Sequence, residues 1–306
     1  MLLKTSLFNL LLGIFLLSLN SCMAQTPRIK MILDSDTANE IDDLYAIIRT
    51  IPEKRFEVLG LSSAQWFHRL SGDSTVYASQ RLNEELLALM GRSDLPHPIG
   101  SDIEMGMPWG GREARDSPAA QFIIEAARDL PEGDSLYVVC IGAATNLASA
   151  ISMAPEIVPR LRVYVLGFRY DHEGYYWNKD EFNIRRDLNA ANFLLDTEGL
   201  DLHIMPISVA IQYQFDRAET FQKLKPMGEL GSYLKGKWLE RFPDNDTWVM
   251  WDVALIEAIL YPQWAPQVQV STPPENTARK VWMYTDIDEV KMLEEYWRYV
   301  QLKFGK

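Results

Sequence analysis

Cysteine is nearly absent from this chain: its 306 residues contain two, too few for a disulfide framework or a zinc cluster. Basic residues are outnumbered, 30 Lys and Arg against 42 Asp and Glu, for a formal net charge of −12. Phosphate-backbone binding needs clustered Lys and Arg, and the sequence has no such cluster, which argues against a nucleic-acid partner. No repeat or low-complexity linker divides the chain. No apolar run reaches the ~20 residues of a membrane-spanning helix. What is present, 47% hydrophobic and 24% charged residues, is globular composition. These features describe an acidic domain acting on a small molecule.

The first segment stands apart. Lys4 precedes an apolar run from Leu7 to Leu19 of signal-peptide length. It ends in Leu19-Asn20-Ser21-Cys22, which resembles a bacterial lipoprotein box with Cys22 as the lipidated residue. Cleavage after Ala24 is the competing reading. Both place the protein outside the cytoplasm, in the bacterial periplasm or anchored to a membrane through Cys22, and both leave residues 25–306 as one domain. Loss of Lys4 with the leader takes the formal charge from −12 to −13. Cys140, in an apolar strand setting, reads as a small buried hydrophobe.

Beyond the leader, strand and helix patterns alternate. Strands are expected at Ile29–Leu33, Phe56–Ser63, Leu136–Ile141, Val163–Leu166 and Leu202–Ile207. Helices are expected at Asp42–Thr50, Thr75–Met90, Ala119–Leu130, Asn146–Met153 and Asn189–Leu195. Phe168–Trp177 and Gly228–Trp251 read as insertions or lids, Val281–Tyr284 as a late edge strand, and Asp288–Leu302 as a closing helix. Such alternation implies an α/β fold: a mostly parallel open sheet flanked by helices, with a Rossmann-like core. Ligands of such sheets sit beyond the carboxyl ends of the strands.

That is where the strongest chemical signal lies. Asp34-Ser35-Asp36-Thr37-Ala38-Asn39-Glu40-Ile41-Asp42-Asp43 carries five acidic residues in ten positions, directly after the first strand. Acidic residues suit the first turn of a helix, so Asp42 and Asp43 alone could be capping. Asp34 and Asp36 at the strand tip are not explained that way. Crowded carboxylates repel each other unless a cation neutralises them. With only hard oxygens and no His or Cys nearby, the donors favour Ca²⁺ or Mg²⁺.

The stretch resembles the D-x-D-x-G-x-D-D motif of the inosine–uridine-preferring nucleoside hydrolase family, with two extra residues and no glycine between Asp36 and Asp42. Three further segments follow in the family's order. Cys140-Ile141-Gly142-Ala143-Ala144-Thr145-Asn146-Leu147-Ala148 resembles a strand-end G-x-x-T-N-[IL]-A motif, Glu181-Phe182-Asn183 matches E-F-N, and Trp251-Asp252-Val253-Ala254 stands where the family has H-D-x-x-A. The resemblance implies a nucleoside-hydrolase-like fold and a Ca²⁺ cofactor held by Asp36, Asp43, Asp252 and the Ile141 carbonyl. It implies a nucleoside or riboside substrate whose hydroxyls meet Asp42, Glu181 and Asn183. Asp36 would be the general base for an inverting attack of metal-activated water on the anomeric carbon.

The departures define what to look for. Trp251 replaces the family's His and cannot protonate a leaving group, though it can stack on a base or sugar. His172, Glu173, Tyr175, Tyr176 and Asp180 precede E-F-N and are candidates for leaving-group help. The usual ribose-contacting Asn after the second strand is missing from Ser62-Ser63-Ala64-Gln65, leaving Gln65, Asn39 or Glu40 to replace it. Two other readings compete. Asp34-Ser35-Asp36-Thr37 also fits the nucleophile motif of a haloacid-dehalogenase-like phosphatase, with Asp34 taking the phosphoryl group. Trp251 and the altered Asn position suit a non-catalytic nucleoside- or glycan-binding lipoprotein of the same fold. His203 reads as a satisfied buried histidine, Gly110-Gly111-Arg112 as a turn, and Tyr296, Trp297 and Tyr299 as aromatics packed on the body or on a second copy in a homo-oligomer.

Overall fold

Runs of Val, Ile and Leu bounded by turn residues form the strands of a seven-stranded sheet buried on both faces. The computed structural model describes residues 28–72, 74–107 and 109–306; the leader and Cys22 lie outside them. In chain order the strands are β1 (Ile29–Ser35), β2 (Phe56–Ser63), β3 (Leu136–Cys140), β4 (Leu161–Leu166), β5 (Arg169–Asp171), β6 (Tyr176–Asn178), β7 (Asp201–Met205), β8 (Gln214–Asp216), β9 (Thr247–Val249), β10 (Gln267–Ser271) and β11 (Lys280–Tyr284). The helices are α1 (Asp42–Thr50), α2 (Thr75–Leu89), α3 (Pro118–Arg128), α4 (Thr145–Met153), α5 (Phe182–Arg186), α6 (Leu188–Asp196), α7 (Ile207–Ala210), α8 (Arg217–Leu224), α9 (Gly228–Arg241), α10 (Trp251–Leu260) and α11 (Glu289–Phe304).

The main sheet runs β10-β11-β7-β4-β3-β1-β2, parallel throughout except where β10 meets β11. Side chains alternate between two cores, as a sheet covered on both faces requires. Met31 and Leu33 of β1 enter the core under α1, α10 and α11, whereas Ile32 enters the core under α3, α4 and α6. Val139 and Val138 divide the same way on β3, as do Met205 and Ile204 on β7. Strand order reverses at β1, whose chain neighbour β2 lies on one side and β3 on the other. The crevice beyond the carboxyl ends of β1 and β3 is therefore the topological switch point at which such sheets bind ligands.

One expectation changes. Val281–Tyr284 belongs to β11, which is flanked by β7; the edge strand is β10. Its Gln267-Val268-Gln269-Val270-Ser271 alternates polar and apolar residues, the signature of a strand with one solvated face. The segments read as insertions are ordered structure: β5 and β6 form a hairpin, and α9 leads into β9, which pairs with β8. His203 is buried against Gln267 and Asp201, Tyr296 and Trp297 pack into the core, and Cys140 is fully buried.

A charged network bolts together the two helices that carry site carboxylates. Arg49 at the end of α1 is fully buried; its Nε donates to Glu257 of α10 at 2.5 Å and its Nη1 to Glu53 at 2.7 Å. Burial lifts the Glu257 carboxyl to about 7 although Arg49 draws it down. Removing one member of such a pair strands the other in low dielectric, at a cost of about 3–5 kcal/mol. Arg49→Met is expected to lower unfolding stability by that amount in a urea titration, and a loss under about 1 kcal/mol would contradict a joint between α1 and α10.

Candidate active site

The sheet delivers chemistry at the tip of β1. Asp34, next to last in the strand, has no exposed surface; its Oδ1 accepts from Ser62 Oγ at 2.6 Å and Asn146 Nδ2 at 2.9 Å. Asn146 also donates to the Ser63 carbonyl at 3.1 Å, so the Thr145-Asn146 motif laces α4 to the tips of β1 and β2. Thr145 Oγ1 donates to Asp187 at 2.7 Å, fixing the segment after α5. Asp34 thus braces the site from behind. It does not line the cavity, which removes the geometry a phosphatase nucleophile requires.

Two residues further, Asp36 turns into the crevice. It is buried, and its Oδ2 has no hydrogen-bond partner. Gly142 lies against it: a Cβ there would sit 2.8 Å from Asp36 Cβ and 2.9 Å from its Oδ1, so only glycine permits this approach. Ser35 Oγ donates to Asp43 Oδ1 at 2.6 Å, setting the Asp43 side chain at the start of α1. Asp252 enters on α10, its backbone N–H donating to Asp42 Oδ2 at 3.2 Å. Carboxylate oxygens of Asp42, Asp43 and Asp252 all lie within 4.8 Å of one another.

The chain leaves β4 through Gly167 and Phe168, the latter at φ 64°, and returns with Glu181 to Asn183. A Cβ on Gly167 would lie 2.8 Å from Ile184, so that return also depends on glycine. Glu181 caps α5, accepting from the Ile184 N–H at 3.1 Å. Asn183 Nδ2 donates to the Ile141 carbonyl at 3.0 Å and more weakly to that of Leu166 at 3.3 Å.

One cavity of about 260 Å³ collects Asp36, Asn39, Asp42, Asp43, Ile141, Glu181, Asn183, Trp251 and Asp252. Ligand pockets begin near roughly 300 Å³, so its size suits a small solute. Glu40, Arg169 and Asp180 also line it. The remaining candidates do not. Gln65 is buried and spent on Thr145 Oγ1 and the Arg186 carbonyl. His172 Nε2 donates to the Tyr284 carbonyl at 3.2 Å and packs edge-on against Tyr170; Glu173, Tyr175 and Tyr176 are exposed on the hairpin. Sequence reasoning missed Arg241 and Trp248, from the stretch read as a lid. Arg241 Nη1 donates to the Glu40 and Thr37 carbonyls, clamping the acidic loop from outside. No motif marks that residue; its role arises from tertiary packing alone.

Burial and mutual repulsion keep protons on this cluster. Burial raises Asp34 to about 6 and Asp43 to about 6; burial and then Asp43 raise Asp42 to about 7. Burial, then Asp42, lifts Glu40 to about 8 against the pull of Arg241. Asp36 and Asp252 are pushed well up by burial and by the surrounding carboxylates. So many buried acidic oxygens, with those of Asp34 (Oδ2), Asp36 (Oδ2) and Glu40 (Oε2) unpartnered, fit a divalent cation of hard-oxygen preference.

The chain matches the family model described as inosine-uridine preferring nucleoside hydrolase over residues 31–294, and it belongs to that family. It is 26% identical over 234 residues to a probable uridine nucleosidase of Arabidopsis thaliana, covering 69% of each chain. It is 25% identical over 202 residues to a pyrimidine-specific ribonucleoside hydrolase of Escherichia coli, covering 60% of this chain and 61% of that one. An uncharacterized protein of Schizosaccharomyces pombe is 26% identical over 60% of this chain and 62% of its own length. The chain thus spans under two thirds of the length of several curated relatives. Among solved structures, an inosine-guanosine nucleoside hydrolase superposes with a TM-score of 0.71 at 16% identity over 90% of this chain and 99% of that one. A purine-preferring ribonucleoside hydrolase from Gardnerella vaginalis gives 0.67 at 18% identity, covering 90% and 98%. These likenesses establish the fold.

A carboxyl that keeps its proton in the folded state but loses it at about 3.8 when unfolded makes the folded state the better proton binder. Stability then falls as pH rises from about 4 towards 7, the window set by Asp34, Asp43 and Asp42. Melting in a chelator is expected to show this decline. Calcium at roughly a hundredfold above its dissociation constant should restore about 5–10 °C at pH 7.5 and little at pH 5. A flat profile, unresponsive to cations, would contradict a cation-compensated cluster.

Proposed function

We propose that the protein hydrolyses the N-glycosidic bond of a ribonucleoside or related riboside by a single inverting displacement by water. The observation that supports this reading best is the convergence of Asp36, Asp42, Asp43, Ile141, Glu181, Asn183 and Asp252, from four separate segments, on one small cavity. A divalent cation, with Ca²⁺ the match for an all-oxygen donor set, would be held by Asp36, Asp43, Asp252 and the Ile141 carbonyl, next to Asp42. When bound it would supply acidification of water and a grip on vicinal hydroxyls.

The chain's own groups do the rest. The unpartnered Asp36 Oδ2 accepts a proton from the attacking water. Asp42, Glu181 and Asn183 take the ribose hydroxyls, with Asn39 at the rim. The carboxylate-lined wall stabilises positive charge as the anomeric carbon approaches an oxocarbenium ion. Trp251, half-buried in the lining, offers a stacking face for the base. Among the residues read as leaving-group helpers, Asp180 alone lines the cavity. The Arabidopsis and E. coli relatives support a pyrimidine ribonucleoside as first substrate.

Purified protein with Ca²⁺ is expected to release ribose from uridine, inosine or p-nitrophenyl riboside. Asp36→Asn should lower kcat by about 10²–10⁴ with KM little changed, and chelation should abolish turnover. Full activity in Asp36→Asn would overturn the assignment of the base. Tight riboside binding without turnover would favour the receptor reading, and p-nitrophenyl phosphate hydrolysis lost in Asp34→Asn the phosphatase.

The leader belongs to the same proposal: an exported single-domain enzyme carrying lipid on Cys22. Membrane-fraction protein labelled by a palmitate analogue, with the label lost in Cys22→Ala, is the expected result; a soluble, unlabelled protein would indicate cleavage after Ala24.

A further inference from the structure

A second concavity adjoins the carboxylate cavity. It is a groove of about 900 Å³ that shares Phe182 and Arg185 with that cavity, so the two lie on either side of these side chains. Its chemistry is opposite. Arg69, Arg185 and Arg186 line it, with Phe67 and Trp109. Of the described carboxylates in its lining, Asp187 is spent internally, accepting from Thr145 Oγ1, the Met105 N–H and the Ala190 N–H. Glu104 alone remains.

Arg186 is the informative member. Its guanidinium stacks over Phe182, 4.8 Å from the ring centroid, and its Nη1 donates to the Phe67 carbonyl at 3.2 Å. Its Nε is buried without a partner, and it has no ion pair among the described residues. Arg185 is already paired with Asp180 at 3.0 Å; in a chain with 42 acidic residues against 30 basic, Arg69 and Arg186, with no ion pair among the described residues, still make the groove a local inversion of charge. Trp109 is 81% exposed at the same groove and offers an open indole face beside the arginines.

The sequence explains the adjacency. Glu181, Asn183, Arg185 and Arg186 lie within six consecutive residues around one short helix. The helix presents the first two to the sugar-sized cavity and Arg186 to the groove, with Arg185 at the junction.

We propose that the groove is a subsite for an anionic group, phosphate or carboxylate, carried by the riboside whose sugar occupies the acidic cavity. This rests on the riboside reading above and names its substrate class. Bidentate guanidinium pairing recognises such oxyanions, and Phe182 and Trp109 supply stacking faces. The chemistry is unaltered: water adds to the anomeric carbon, the C–N bond breaks, the base leaves with a proton, and the anionic group stays intact. A neutral nucleoside would leave Arg186 uncompensated.

The test compares uridine with uridine 5′-monophosphate and with orotidine, whose carboxylate is on the base. Calcium-loaded wild-type protein is expected to favour one anionic substrate over uridine by at least about tenfold in kcat/KM, the scale of one charge-assisted hydrogen bond. Which one it favours identifies the source of the charge. Arg69→Glu, at an exposed position, and Arg186→Gln should bring that ratio towards one, Arg69→Lys should retain only part of it because lysine keeps the charge but not the bidentate fork, and added salt should reduce it. Turnover of uridine as good as that of both anionic substrates, with a ratio unmoved by Arg69→Glu, would overturn the subsite and leave the hydrolase reading standing. Salt-sensitive binding of an anionic riboside that Arg69→Glu abolishes, without turnover of any substrate, would retain the subsite and remove the hydrolase. Neither turnover nor binding would overturn both.

Discussion

Electrostatic repulsion among buried carboxylates is the constraint around which this protein is built. Asp36, Asp42, Asp43 and Asp252 are each no more than 3% exposed, and like charges at that spacing in low dielectric cost several kcal/mol unless protonated or neutralised. The surrounding structure answers this crowding. Ser35 fixes Asp43, the Asp252 N–H reaches Asp42, and Arg241 ties down the loop carbonyls. The Arg49 network holds α1 and α10 together so that the groups cannot simply drift apart. A rigid, oxygen-rich site is the outcome, and such rigidity is what separates a cation-binding cluster from an acidic surface.

The sheet explains why the crowding occurs where it does. Parallel strands buried on both faces have no solvated side to carry polar groups, so polar residues collect at their ends. At the switch point beside β1, the tips of β1 and β3 face one crevice, and the glycine at 142 lets Asp36 approach the β3 end. The fold thus concentrates the acidic groups, while the family relation accounts for the order in which their segments appear.

Much of this was legible in the residues. The β2 and α1 boundaries followed from apolar runs and acidic first turns, β1 runs two residues past its apolar run to take in Asp34 and Ser35, and the four motif segments do meet in one cavity. Other parts were not legible. The edge strand β10 is short and polar on alternate positions, a weak signal beside the apolar β11. Gln65 was a reasonable ribose contact on type and position, yet its amide is used to join β2 to the Arg186 carbonyl, a contact 121 residues distant in sequence. Arg241 and Arg49 carry no local pattern; arginines in helices are common, and only the tertiary arrangement shows what each one neutralises.

The hold of Arg241 on the Thr37 and Glu40 carbonyls bears on folding. The acidic loop is made early, but its clamp and its last carboxylate, Asp252, arrive more than two hundred positions later. Burying Asp36, Asp42 and Asp43 together therefore depends on contacts between parts of the chain more than two hundred positions apart, the kind whose loop-closure cost is met before it is rewarded.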